Sequence, residues 1–239
     1  MDQSALWAAL ADPHSAVRRI AGALLGAVVA VWFSRQCRRP SGWLGRLLVM
    51  QMNASHRAVT EWGLRRVTID ARFTVLDVGC GGGATVATLA CMASDGHVCG
   101  VDISPASVAT ARRRNAPLIE SGRVDVRLAS VAALPFGDDT FDLATAVETH
   151  YYWPDPEASL REIRRVLRPG GTLVIIAETY RGRRMDWLYR PAMRLLSATY
   201  LTPSEHQGLL NAAGYTAVEV FTEVARGWVC VVGRKPKQP

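Results

Sequence analysis

The residues best suited to chemistry stand where short apolar runs end. Val75-Leu76-Asp77-Val78-Gly79-Cys80-Gly81-Gly82-Gly83-Ala84 leads from such a run into a glycine-rich bend. Gly79, Gly81 and Gly83 let the backbone turn tightly and approach a ligand with no Cβ in the way. The amides that open the following helix then face that ligand. Asp102 closes the next run, twenty-three residues after Gly79, where a carboxylate can accept from both hydroxyls of a ribose. Bend and acid together specify a cofactor containing adenosine. Gly79-x-Gly81-x-x-Ala84 also satisfies the dinucleotide pattern. However, Asp77 precedes the first glycine by two residues, where a dinucleotide site carries an apolar side chain. An anion there repels a pyrophosphate and tolerates or attracts a ligand bearing an ammonium and a sulfonium.

A second cluster, Glu148-Thr149-His150-Tyr151-Tyr152-Trp153, follows another apolar run. His150 titrates near neutrality and is the leading base for an acceptor that must lose a proton, with Glu148 beside it. Tyr151, Tyr152 and Trp153 offer an aromatic wall for a lipophilic pocket, or a cap on the core.

Positioning these residues requires a sheet. Strands are expected over 73–78, 97–102, 123–129, 141–147 and 171–177, with helices near 84–93, 105–120 and 156–167 between them. Ser104-Pro105 and Asp155-Pro156 each place a capping side chain before a first-turn proline. Gly170 and Gly171 in RPGG read as a turn before the fifth strand. Alternation of this kind implies parallel strands and a doubly wound sheet, whose ligands bind at the strands' carboxyl ends. Beyond residue 178 come helices near 183–200 and 204–213, then strands over 215–222 and 227–233.

The 239 residues are 49% hydrophobic and 21% charged, which excludes disordered, collagen-like and disulfide-scaffold classes. Five cysteines form no CxxC pair, so reduced thiols in a cytoplasmic protein and no metal site are expected. Net charge is +7, and the only lysines are Lys235 and Lys237. This balance suits nucleic acid or an anionic membrane surface, and equally an arginine-rich solvated exterior.

Upstream, residues 20–33 (IAGALLGAVVAVWF) form an apolar run flanked by Arg18, Arg19, Arg35, Arg38 and Arg39. Fourteen helical residues reach ~21 Å, short of the ~30 Å of a bilayer core. A helix over 15–35 therefore packs on the protein or lies in the membrane interface, giving peripheral contact through residues 15–39. An amphipathic helix follows over 43–67, with Trp43, Leu47, Met50, Ala54, Ala58 and Trp62 on one face and Asn53 and His56 reaching toward a pocket. Residues 1–70 thus read as a helical extension and residues 71–239 as the sheet domain.

VLDVGCGGG at 75–83, VCGVDIS at 98–104, LPFGDDTFDLATA at 134–146 and VLRPGGTLVI at 166–175 resemble the ordered motifs of class I S-adenosylmethionine-dependent methyltransferases. The likeness is to the small-molecule branch that includes ubiquinone/menaquinone and sterol methyltransferases, and it covers roughly residues 70–235. It implies a Rossmann-like, mostly parallel seven-stranded sheet whose last strand is antiparallel. It also implies S-adenosylmethionine as cofactor, with Asp77, Gly79 and Gly81 lining its methionine part. Asp102 would then bind the ribose, and Ile103 would pack on the adenine. Ser130, with Val131, replaces the acid that usually meets the adenine amino group, and Glu148 stands beside cofactor and acceptor. VETHYYWPD lacks the Asn/Asp-Pro-Pro-Tyr-type motif of enzymes that methylate base amines, which disfavours nucleic acid. The expected activity is methyl transfer to a small, lipophilic molecule, with the helices before residue 70 and the 178–205 segment covering the pocket. Two alternatives are a non-catalytic cofactor-binding module and a nicotinamide-dependent oxidoreductase.

Overall fold

The computed structural model describes residues 56–237. The apolar run 20–33 and the start of the 43–67 helix lie outside them. Seven strands form one sheet in the order β3-β2-β1-β4-β5-β7-β6: β1 Thr74–Val78, β2 His97–Asp102, β3 Val124–Leu128, β4 Phe141–Val147, β5 Leu167–Ala177, β6 Thr216–Glu223 and β7 Trp228–Arg234. The first five are parallel. β7 runs antiparallel to both β5 and β6. Strand order reverses between β1 and β4, which opens a crevice at their carboxyl ends.

Seven helices are described: α1 Arg57–Leu64, α2 Ala84–Met92, α3 Pro105–Arg114, α4 Ala116–Glu120, α5 Pro156–Val166, α6 Asp186–Leu195 and α7 Pro203–Ala212. The strands are apolar on both faces because helices cover both. Leu76 and Val78 pack with Leu160, Ile163 and Leu210 of α5 and α7. Val75 turns the other way, onto Val59, Val86 and Val108 of α1, α2 and α3. The expected caps form: Ser104 Oγ accepts from Ser107 N–H, and Asp155 from Ala158 N–H. Thr202 and Glu205 complete a capping box at α7.

Four expectations are corrected. The helix over 105–120 is two helices, because Asn115 turns its side-chain amide onto the carbonyls of Ala111 and Gly83. The RPGG glycines lie inside β5 rather than before it. Phe141 pairs with Leu167, but Leu143 already pairs with Thr172, so residues 168–171 bulge out of the ladder. The helix over 183–200 is confined to Asp186–Leu195, and that over 43–67 ends at Leu64. Among the described residues no helix is long and apolar enough to cross a membrane.

Candidate active site

A cavity of about 680 Å³ opens at the carboxyl ends of β1, β2 and β4. Its floor is the glycine bend. Gly79 and Gly81 adopt φ of 72° and 51°, backbone that favours glycine. Space is the second constraint, since a Cβ on Gly79 would lie 2.1 Å from Thr149 Oγ1. The bend and the loop after β4 are thus packed together, and both line the cavity.

Asp102 holds the bend from the neighbouring strand. Its Oδ2 accepts from Gly81 N–H at 2.9 Å and its Oδ1 from Ser104 N–H at 2.8 Å. The expected ribose ligand is therefore also the clamp that shapes the turn. Ile103 lines the cavity and is 47% exposed, presenting an open apolar face. Ser130 and Val131 line it as well. The Ser130 hydroxyl accepts from Ala132 N–H, which leaves its proton free for the cavity.

Asp77 lies elsewhere than expected. It is buried behind the bend and does not line the cavity. Its Oδ1 accepts the Thr145 hydroxyl at 2.7 Å, while its buried Oδ2 has no partner among the described residues. Burial, with a smaller push from Asp102, raises its carboxyl to about 7. Glu148 sits at the cavity wall with φ of 56°, a left-handed backbone uncommon outside glycine. Its Oε1 accepts from Glu178 N–H, and burial raises its carboxyl to about 8. These acids lack a cation among the described residues, and an orphaned buried oxygen points the same way. Such a site fits a positively charged cofactor and disfavours a diphosphate.

His150 is the larger correction. The single 3-10 turn His150–Tyr152 rotates successive side chains by about 120°. Tyr152 therefore meets the cavity, whereas His150 and Tyr151 enter the core. His150 shares an Nε2–Nε2 hydrogen bond of 3.1 Å with His206, and burial lowers the proton affinity of both rings, that of His150 strongly. It does not line the cavity.

The imidazole that does line the cavity is His56, beside the first residue of α1, with Arg57, Thr60 and Glu61 following along the wall. His56 Nε2 lies 3.7 Å from Glu178 Oε2. Ligand atoms of His56, Glu148 and Glu178 all fall within 4.8 Å of one another. Burial lowers the imidazole and raises both carboxyls. One nitrogen and two oxygens so placed can accept a proton or hold a divalent cation. Glu178 was missed in the sequence, although it directly follows β5 and the rule that ligands bind at strand ends points to it. The 178–205 segment contributes none of the residues lining the cavity, contrary to its expected role as a cover. It packs beside Tyr151, whose hydroxyl donates to Thr179 O.

Residues 76–175 match the family model described as a methyltransferase domain. O-methyltransferase cnsE of Penicillium expansum is 34% identical over 148 residues, 61% of this chain and 53% of that protein. The 2-methyl-6-phytyl-1,4-hydroquinone methyltransferase of Synechocystis is 32% identical over 150 residues, 62% of this chain and 46% of that protein. The chain spans about half the length of these curated relatives. Among solved structures, human N-acetylserotonin methyltransferase in complex with S-adenosylmethionine matches with a TM-score of 0.66 at 20% identity, covering 81% of this chain and 56% of that one. Over residues 76–175 the chain is similar to methyltransferase domains, and its sheet order and glycine bend agree with that likeness. The two relatives by sequence are named as methyltransferases, one of oxygen and the other of a phytyl hydroquinone.

Proposed function

We propose that the chain methylates a hydroxyl oxygen of a small lipophilic molecule, with S-adenosylmethionine as donor. The observation that carries the reading is the set of desolvated carboxyls, buried Asp77 and half-buried Asp102 and Glu148, gathered around a glycine bend with no cation among the described residues to neutralise them. When bound, the cofactor supplies a methyl group on a positively charged sulfur. Gly79 and Gly81 would hold its methionine part, Asp102 its ribose, and Ile103 with Ser130 its adenine. Val147, Tyr152, Trp153 and Pro154 give the remaining wall an apolar and aromatic character, which suits a lipophilic acceptor. Transfer then depends mainly on alignment and exclusion of water.

An oxygen acceptor must also lose a proton. His56, neutral and at the cavity wall, takes that role in place of His150, with Glu178 orienting it and Glu148 facing the same space. Relatives named O-methyltransferase support oxygen as the methylated atom.

The test is incubation of the full chain with deuterated-methyl S-adenosylmethionine and a lipid and metabolite extract. One extract species should gain the label as S-adenosylhomocysteine accumulates. Tight cofactor binding with no S-adenosylhomocysteine would instead support a binding module. Stabilisation by NADH and not by S-adenosylmethionine would overturn the cofactor.

A further inference from the structure

Five of the nine exposed large hydrophobic side chains among the described residues fall within eleven positions, Met185 to Leu195. They belong to α6 and its approach. Asp186 and Met193, two helical turns apart, are the buried residues of this helix. Asp186 is fixed there by the Tyr200 hydroxyl at 2.6 Å and by Arg190 at 2.6 Å. At 100° per residue, Trp187, Leu188, Pro191, Ala192 and Leu195 occupy the opposite side, and all five are exposed. Trp187 is 69% exposed and Leu195 53%. An anchored helix with an apolar outer stripe reverses the usual arrangement for a helix facing water.

Charge selects what covers this stripe. Arg184 and Arg194 are exposed at its two ends, with no carboxylate partner among the described residues. A second copy meeting this face by two-fold symmetry would bring arginine toward arginine. The chain's other strongly apolar run, residues 20–33, is itself bordered by Arg18, Arg19, Arg35, Arg38 and Arg39, so it carries the same charge. An anionic lipid surface supplies both the apolar phase and the opposite sign. We propose that α6 docks this protein on anionic phospholipid, with Trp187, Leu188 and Leu195 entering the headgroup boundary and Arg184 and Arg194 meeting lipid phosphates. α6 follows the carboxyl end of β5, the sheet edge that carries the cavity, so docking keeps that edge at the lipid. The inference is separate from the reading of the cavity, because lipid binding requires neither cofactor nor turnover.

Sedimentation of the full chain with vesicles tests it, comparing phosphatidylcholine alone with phosphatidylcholine containing phosphatidylglycerol. The chain should sediment with the anionic vesicles and respond to salt. Trp187→Glu combined with Leu195→Glu should lower partitioning on the order of a hundredfold. Arg184→Gln combined with Arg194→Gln should lower it roughly tenfold and reduce the salt response. Trp187→Ser alone gives a milder loss in the same direction, and unchanged S-adenosylmethionine affinity by calorimetry certifies each fold. The proposal is overturned if the wild type stays in the supernatant with both vesicles. It also fails if the double Glu variant binds as the wild type does, or if that variant instead converts an oligomer to a monomer in analytical ultracentrifugation.

Discussion

The two ends of the same central strands treat their carboxylates in opposite ways. At the amino end three acids face cations: Asp142 meets Arg168 at 2.6 Å, Asp139 meets Lys235 at 2.6 Å, and Asp138 meets Arg165 at 2.7 Å. At the carboxyl end, among the described residues, Asp77 has only the Thr145 hydroxyl, while Asp102 and Glu148 have only backbone amides and hydroxyls. Glu178 has the neutral His56 at 3.7 Å and the more distant field of Arg183. The first arrangement is complete in itself. The second requires protons or a positively charged ligand, and this contrast within one sheet locates the site more sharply than cavity size does.

The contrast breaks most severely at the glycine bend. Gly79→Ala combines an unfavourable φ with a Cβ 2.1 Å from Thr149 Oγ1, and should cost about 2–4 kcal/mol of stability along with measurable cofactor binding. Adding Thr149→Gly should restore part of the melting temperature, because it removes the clash but not the backbone strain. If Gly79→Ala melts and binds like the wild type, the bend is not constrained as described.

Asp102→Ala removes the clamp and the ribose acceptor together. It should lose roughly 2–3 kcal/mol of S-adenosylmethionine affinity in calorimetry, and unchanged affinity would remove the ribose assignment.

Charge without shape is probed by Asp77→Asn. Asp77 and Glu148 move from ordinary values of 3.8 and 4.5 to about 7 and about 8. Between those limits the cofactor-free fold retains protons that the unfolded chain has released, so its stability falls as pH rises through that window. Asp77→Asn should flatten part of that slope and raise stability at pH 8 by about 1–2 kcal/mol, while weakening cofactor binding about tenfold. A cationic ligand favours the ionised acids, so wild-type affinity should climb with pH across the same window, with proton release. A flat affinity profile would detach these carboxylates from the cofactor's charge.

The smallest effect belongs to the paired end. Asp142→Asn should cost about 0.5–1 kcal/mol in thermal unfolding and leave both cofactor affinity and its pH profile unchanged. A change in affinity there would blur the distinction between the two ends.

How much of this the sequence disclosed depends on distance along the chain. The glycine bend, Asp102 and the capped starts of α3 and α5 were legible because each depends on neighbours a few residues away. Gly170 and Gly171 suggest a turn that shortens the expected strand, and only pairing with β4 shows the bulge within β5. Residue type favours His150 as the base, yet the turn after Glu148 rotates it into the core beside His206. Glu178 carried little signal of its own. It gained meaning only when β4 and β5 paired and its backbone amide reached Glu148.

By itself, then, the order of residues determined where the chain bends, where helices begin, and that a positively charged adenosine cofactor suits the bend. Folding decided which side chains share the cavity, which acids lose water without gaining a cation among the described residues, and which face of α6 turns outward. Turn and cap energies arise from contacts a few residues apart. Desolvation and proton affinity arise instead from groups such as His56, Glu148 and Glu178, brought together only when distant strands lie side by side.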